Sequence, residues 1–182
     1  MRVSSHAREP WDIAALPLFA GVSPAEAADI VRLATVIDYP AGSAIFSEDE
    51  PGDALYAVLR GQIDMCCRDR GGREQTLATL GPGAILGEIA LLTDEPRLAT
   101  ARAVSDATVL RLTNETFKTL LKQGDSAARQ VLYNLARNMA SHLGDVSRRL
   151  IRLLADQSLA NVAPPEGELD ELRRKLFIDW KF

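Results

Sequence analysis

Between Gly81 and Ala103 the chain reads GPGAILGEIALLTDEPRLATARA, a stretch that sets glycines before a carboxylate, then a short apolar run, then an arginine. Gly87-Glu88 followed by Ile89-Ala90-Leu91-Leu92 reads as a tight backbone approach that runs into one helical turn. The unpaired N–H groups and the dipole of such a turn suit an anion. Glu88 can accept a hydrogen bond from a sugar hydroxyl, and Arg97 offers a planar fork of donors matched to two phosphate oxygens. The same residues also fit an ordinary surface turn in which Glu88 and Arg97 pair with each other. Local chemistry leaves both readings open.

Other chemistry is harder to build. Cys66 and Cys67 are adjacent, so on a strand they point to opposite faces and make neither a disulfide framework nor a metal cluster. They read as packing residues. His6 and His142 stand too far apart for metal-ligand spacing, and neither lies in a catalytic signature. No Ser/His/Asp constellation or paired-carboxylate motif supports an enzyme, and no prosthetic group is expected.

The 182 residues, 47% hydrophobic and 25% charged, suit one ordinary domain with a tail and exclude gross disorder. With 21 Lys+Arg against 25 Asp+Glu, the net charge of −4 supplies no global field for a phosphate backbone. No run approaches the roughly 18 to 20 apolar residues of a membrane span, and MRVSSHAREPW lacks a signal peptide's apolar stretch. A cytoplasmic chain with no membrane partner is expected.

The elements that must position Glu88 and Arg97 follow from punctuation and period. Ser23-Pro24-Ala25-Glu26 predicts a capped helix starting at Pro24. From Tyr39 to Leu112, short runs rich in Val, Ile, Thr and Leu are broken about every ten residues by Pro40-Ala41-Gly42, Pro51-Gly52-Asp53, Gly61, Gly71-Gly72 and Gly81-Pro82-Gly83. That pattern predicts an antiparallel sandwich or barrel, with Gln62–Arg68 and Arg73–Leu80 as a hairpin. From Asp125 to Leu154 the period lengthens, with Ala128, Leu132, Leu135, Met139, Leu143, Val146, Leu150 and Leu153 spaced by three or four. A long amphipathic helix is predicted, and it outruns a domain of this size, so its second half reads as a dimer seam. Residues 156–167 read as a linker. Within 168–182, Leu169, Leu172, Leu176 and Ile178 to Trp180 line one face of a short terminal helix beside the basic Arg173, Arg174 and Lys175.

The Gly81–Ala103 stretch resembles the phosphate-binding cassette of cyclic-nucleotide-binding domains, the module of CRP/FNR regulators, of kinase regulatory subunits and of certain ion channels. Gly87-Glu88-Ile89-Ala90-Leu91 and Pro96-Arg97-Leu98-Ala99-Thr100 follow that cassette at all positions but one. Leu16–Ser23, Tyr39–Phe46 and Pro51–Tyr56 with Gly61 are similar to the family's opening helix and first hairpins. The resemblance implies an N-terminal extension (1–13), a binding domain (14–155) that includes a long helix (125–155), and a linker with a terminal helix (156–182). It implies an eight-stranded antiparallel β-roll of jelly-roll type with N-terminal helices and a long C-terminal dimerisation helix.

Carried over by position, it implies that Glu88 binds the ribose 2'-hydroxyl and Arg97 the cyclic phosphate. Gly87, Ile89, Ala90, Leu98 and Ala99 line the cassette and the ligand, and Ser147 on the long helix caps the base. Leu98 stands where a small or hydroxyl residue is usual, which removes the hydroxyl that favours guanine and implies cyclic AMP over cyclic GMP. Asp49 stands where a turn glycine is usual, though Asp tolerates left-handed geometry better than most. The expected function is cyclic-nucleotide sensing, signalled through a dimer helix to an unidentified downstream protein.

Two other readings compete. In one, Leu98 fills the pocket, Glu88 pairs with Arg97 across it, and the roll is a ligand-free dimerisation scaffold. In the other, the chain is the sensor part of a transcription regulator. Residues 156–182 are too few for a winged helix-turn-helix domain, so direct DNA binding is not expected from this chain.

Overall fold

The Ser23 hydroxyl accepts the Glu26 N–H, and the Glu26 carboxylate reaches back to the Ser23 N–H. This reciprocal cap, with proline at the first helical position, starts α1 (Pro24–Arg32) where the sequence places it. The computed structural model describes residues 2–3, 16–68, 72–93 and 95–159. The expected linker and terminal helix beyond residue 159, most of the N-terminal extension and the tip of the predicted hairpin lie outside them.

The strands are β1 (Arg2–Val3), β2 (Thr35–Tyr39), β3 (Ala44–Phe46), β4 (Ala54–Arg60), β5 (Ile63–Arg68), β6 (Glu74–Leu80), β7 (Ile85–Leu86), β8 (Thr100–Ala103) and β9 (Ala107–Thr113). The helices after α1 are α2 (Glu88–Thr93), α3 (Asn114–Lys122) and α4 (Ser126–Leu159). Two antiparallel sheets form, ordered β1-β2-β9-β4-β7 and β3-β8-β5-β6. The eight strands β2 to β9 make the expected roll. Two residues of the N-terminal extension add β1 to its edge, with Arg2 opposite Asp38. The predicted hairpin is β5 paired with β6, Ile63 opposite Leu80.

Strand β4 is buried along Ala54–Leu59 on both faces, which is why its sequence ALYAVL does not alternate with polar residues. Tyr56 and Val58 face the interior of the roll with Ile37, Ile63 and Val109. Leu55, Ala57 and Leu59 face outward, against Phe19, Ile30, Leu110, Phe117 and the α4 residues Ala128, Val131 and Leu135. Each large aliphatic side chain buried in this way contributes about 1.5–3 kcal/mol. Asn134 ties α4 to the 3-10 turn Pro17–Phe19 by donating to the carbonyls of Leu18 and Ala20 at 2.9 and 2.8 Å.

The chain divides into two compact units, Met1–Leu135 and Ala136–Phe182. The first holds the roll and the opening turns of α4. Within the second, α4 continues to Leu159, past the expected end at 155. Asp156, Gln157 and Ser158 are not helix breakers, and the first strong ones are Pro164 and Pro165. The apolar stripe therefore splits in character. Ala128 and Leu135 are buried in the first unit's core, whereas Leu143 and Val146 are exposed in the second unit.

Candidate functional site

Arg97 is placed by its backbone before its side chain does anything. Its N–H donates to the Glu50 carbonyl and its carbonyl accepts from the Asp49 N–H, both at 2.9 Å. Asp49 makes that turn at φ +65°, the left-handed geometry anticipated for an Asp in a glycine's place. Glu50 closes the turn by accepting the Ser47 N–H at 3.0 Å, and this bond, first among its causes, holds the Glu50 carboxyl below its ordinary pKa.

From this anchor the guanidinium runs into the roll. Arg97 is 3% exposed, with its Cζ 4.3 Å from the centre of the Phe46 ring and 5.7 Å from that of Tyr56. Nη2 donates to the Ala54 carbonyl at 2.7 Å and Nη1 to the Gly87 carbonyl at 3.2 Å. Nε is buried and has no hydrogen-bond partner among the described residues. Asp53 is the only carboxylate among the described residues within ion-pair distance, at 3.6 Å, and it lies nearer to Arg111, 2.5 Å away. Two guanidiniums thus share one carboxylate, and the buried one has the weaker share.

Gly87 turns β7 into α2 at φ +79°. A Cβ there would land on Arg97 Nη1 and lie 2.9 Å from the Ala54 carbonyl, so glycine is what lets the cassette close on the guanidinium. Gly52 packs in the same way against Ala90 of α2, whose Cβ a side chain at 52 would overlap. Asn114, the first residue of α3, clamps that turn from two sides. Its N–H donates to the Asp53 carbonyl at 2.8 Å and its amide to the Gly52 carbonyl at 2.8 Å.

Arg111 stands on β9 opposite Tyr56. Burial disfavours its charge, but the Tyr56 hydroxyl and Asp53 outweigh that and move its pKa up. Tyr39, also inside the roll, has its pKa raised chiefly by burial and further by Tyr56.

The structure brings Gly87 and Arg97 into contact, with Glu88 and Ala90 following Gly87 in α2. Ala90 and Ala99 are buried, and Ile89 and Glu88 are half-buried. The Glu88 carboxylate has no hydrogen bond or ion pair among the described residues. Leu98 is 62% exposed, so it does not fill the site, and Arg97 bonds to carbonyls instead of to Glu88. Both the internal Glu88–Arg97 pair and the leucine-blocked pocket are thereby corrected. The backbone pairing that sends Arg97 inward leaves the next side chain pointing out. Ser147 lies on α4 in the second unit, half-buried.

Sequence reasoning missed Phe46, Tyr56, Asp53, Arg111 and Asn114 as parts of the site. Arg111 carried a faint signal, since on β9 it continues the inward-facing series of Ala107 and Val109.

Cys66 is buried and free, as a packing residue should be, and burial raises its thiol pKa. Among the described residues no group of three His, Cys, Asp or Glu could hold a metal ion, and no helix is long and apolar enough to cross a membrane.

The family described as "Cyclic nucleotide-binding domain" matches residues 36–124. The "Cyclic AMP receptor protein" of Thermus thermophilus is 35% identical over 147 residues, 81% of this chain and 66% of its own. The "cAMP-dependent protein kinase regulatory subunit" of Aspergillus niger is 36% identical over 65% of this chain and 28% of its own. Among solved structures, the Thermus thermophilus Catabolite Activator Protein superposes with a TM-score of 0.68 at 36% identity, over 75% of this chain and 62% of that one. The chain thus spans just under two thirds of the first of these relatives and far less of the kinase subunit.

Proposed function

Because the chain belongs to the cyclic nucleotide-binding domain family, we propose that it senses cyclic AMP, with Arg97 gripping the cyclic phosphate and Glu88 the ribose 2'-hydroxyl. One observation carries the reading: Arg97 is buried over two aromatic rings and, among the described residues, is bonded only to neutral carbonyls, with an unpartnered Nε and a carboxylate no nearer than 3.6 Å. A buried cation is costly unless an anion completes its shell. A phosphate supplies both the charge and the acceptors that the fork lacks. Glu88, half-buried and unpartnered among the described residues, supplies an acceptor of the kind a sugar hydroxyl needs.

Gly87, Ile89, Ala90 and Ala99 give the ligand close approach to the backbone. Leu98 brings no hydroxyl to a guanine, so cyclic AMP is preferred to cyclic GMP. Binding shifts the arrangement of α4 in a homodimer, and the shift is passed to a downstream protein. A ligand moves that equilibrium only as far as it prefers one arrangement over the other.

Calorimetric titration of wild type and Arg97→Ala with cyclic AMP, and in parallel with cyclic GMP, tests the reading. The substitution is expected to weaken cyclic AMP binding by about 100-fold or more, the usual consequence of removing one side of a buried charge-assisted pair. Equal heats in both proteins, or none in either, would end the proposal.

A further inference from the structure

Resting on that reading, we propose that Arg111 is a positioning residue: it draws the Asp53 carboxylate away from Arg97 and so keeps the buried fork open to a ligand's phosphate. Asp53 stands between two guanidiniums and is not shared equally. Its Oδ2 lies 2.5 Å from Arg111 Nη2, a full charge-assisted hydrogen bond, while its Oδ1 is 3.6 Å from Arg97 Nη2, beyond hydrogen-bond distance.

The backbone of Asp53 is fixed. Asn114 holds the carbonyls of Gly52 and Asp53, and Gly52 is pressed against Ala90. Only the carboxylate has a choice of partner, and with its side chain 63% exposed it can swing without losing burial. Were it to close on Arg97, it would occupy donors that a phosphate needs and cancel the charge that attracts one. Arg111 makes the other position better, from its place on β9 opposite Tyr56.

Cyclic AMP is titrated into wild type, Arg111→Ala, Arg111→Lys, Asp53→Asn and the double variant, each first checked by thermal melting. Arg111→Ala is expected to weaken binding about tenfold, as a competing carboxylate closes on the fork. Asp53→Asn tightens it, the double variant regains what Arg111→Ala loses, and Arg111→Lys lies between. Arg111→Ala binding like wild type overturns the proposal. So does a double variant as weak as Arg111→Ala, which would mean that Arg111 meets the phosphate itself or only supports the fold.

The Arg97 Nε–H resonance of the free protein gives a readout independent of the ligand. It should move in Arg111→Ala and return in the double variant, and a resonance unmoved by Arg111→Ala counts against the proposal. If wild type binds no cyclic nucleotide, the proposed function falls, while this resonance still decides whether Arg111 controls Asp53.

Discussion

At the scale of single residues, the site depends as much on a missing side chain as on those present. Gly87 lies at φ +79° with the Arg97 guanidinium and the Ala54 carbonyl where its Cβ would be. Gly87→Ala therefore meets two separate obstacles, left-handed backbone that an L side chain resists by about 1 kcal/mol and direct overlap with the fork. The guanidinium can retreat more easily than the carbonyl, so the cost falls on the ligand site first. Gly87→Ala is expected to lower the melting temperature by a few degrees, in line with about 1–2 kcal/mol lost from a chain of this size. Cyclic AMP binding should fall much further, by about tenfold or more, because the displaced fork no longer meets the phosphate. Paired melting and calorimetric curves check this, and a variant that melts early yet binds normally would show that the fork does not need the Gly87 contact.

At the scale of elements, α1 shows how a local motif carries a global load. Glu26 accepts from the Ser23 hydroxyl at 2.6 Å and backbone at 3.2 Å, and from Ser126 at the start of α4 at 2.9 Å. The hydrogen bond from the Ser23 side chain, then that from Ser126, holds its carboxyl below the ordinary value near 4.5. A carboxyl with a depressed folded-state pKa stabilises the fold above its unfolded pKa, and that contribution is lost as pH falls through the folded value. Wild type should therefore melt above Glu26→Gln at pH 6, and the gap should close as the pH is taken below about 4. A gap that stays constant down to pH 3 would show that the charge of Glu26 is not what matters.

This cap, the α1 start, the β5–β6 hairpin and the period change into α4 were legible because each is written within a few neighbouring residues. The cassette was legible for the same reason, with Gly87, Glu88 and Arg97 inside one stretch. What was not legible is the pairing of Asp53 with Arg111, two residues far apart in the chain that only the β4–β9 ladder brings together. Nor did any local rule choose between Glu88 and two backbone carbonyls as partners for Arg97. That choice depends on the Asp49 turn and the rings of Phe46 and Tyr56 arriving from elsewhere.

At the scale of the whole molecule, the question is what completes the second unit. Leu143, Val146 and Ile151 are 42%, 62% and 50% exposed on a helix that continues to Leu159, and apolar side chains at such spacing favour a second helix over water. In the homodimer proposed above, a second copy of the chain would supply the same stripe and close a two-fold pair. Sedimentation velocity is expected to give a dimer for wild type and a monomer for Leu143→Lys with Val146→Lys, since each buried lysine at a seam costs more than a surface ion pair returns. Both substitutions lie outside the first unit, so its melting transition should persist. Linkage then ties ligand affinity to dimerisation. If each protomer of the dimer holds cyclic AMP more tightly than the monomer by some factor, dimer dissociation measured at saturating ligand and without ligand must differ by the square of that factor, because each dimer carries two sites. Ligand affinity that is identical in the dimeric and monomeric proteins would leave α4 as a pairing element with no part in the signal.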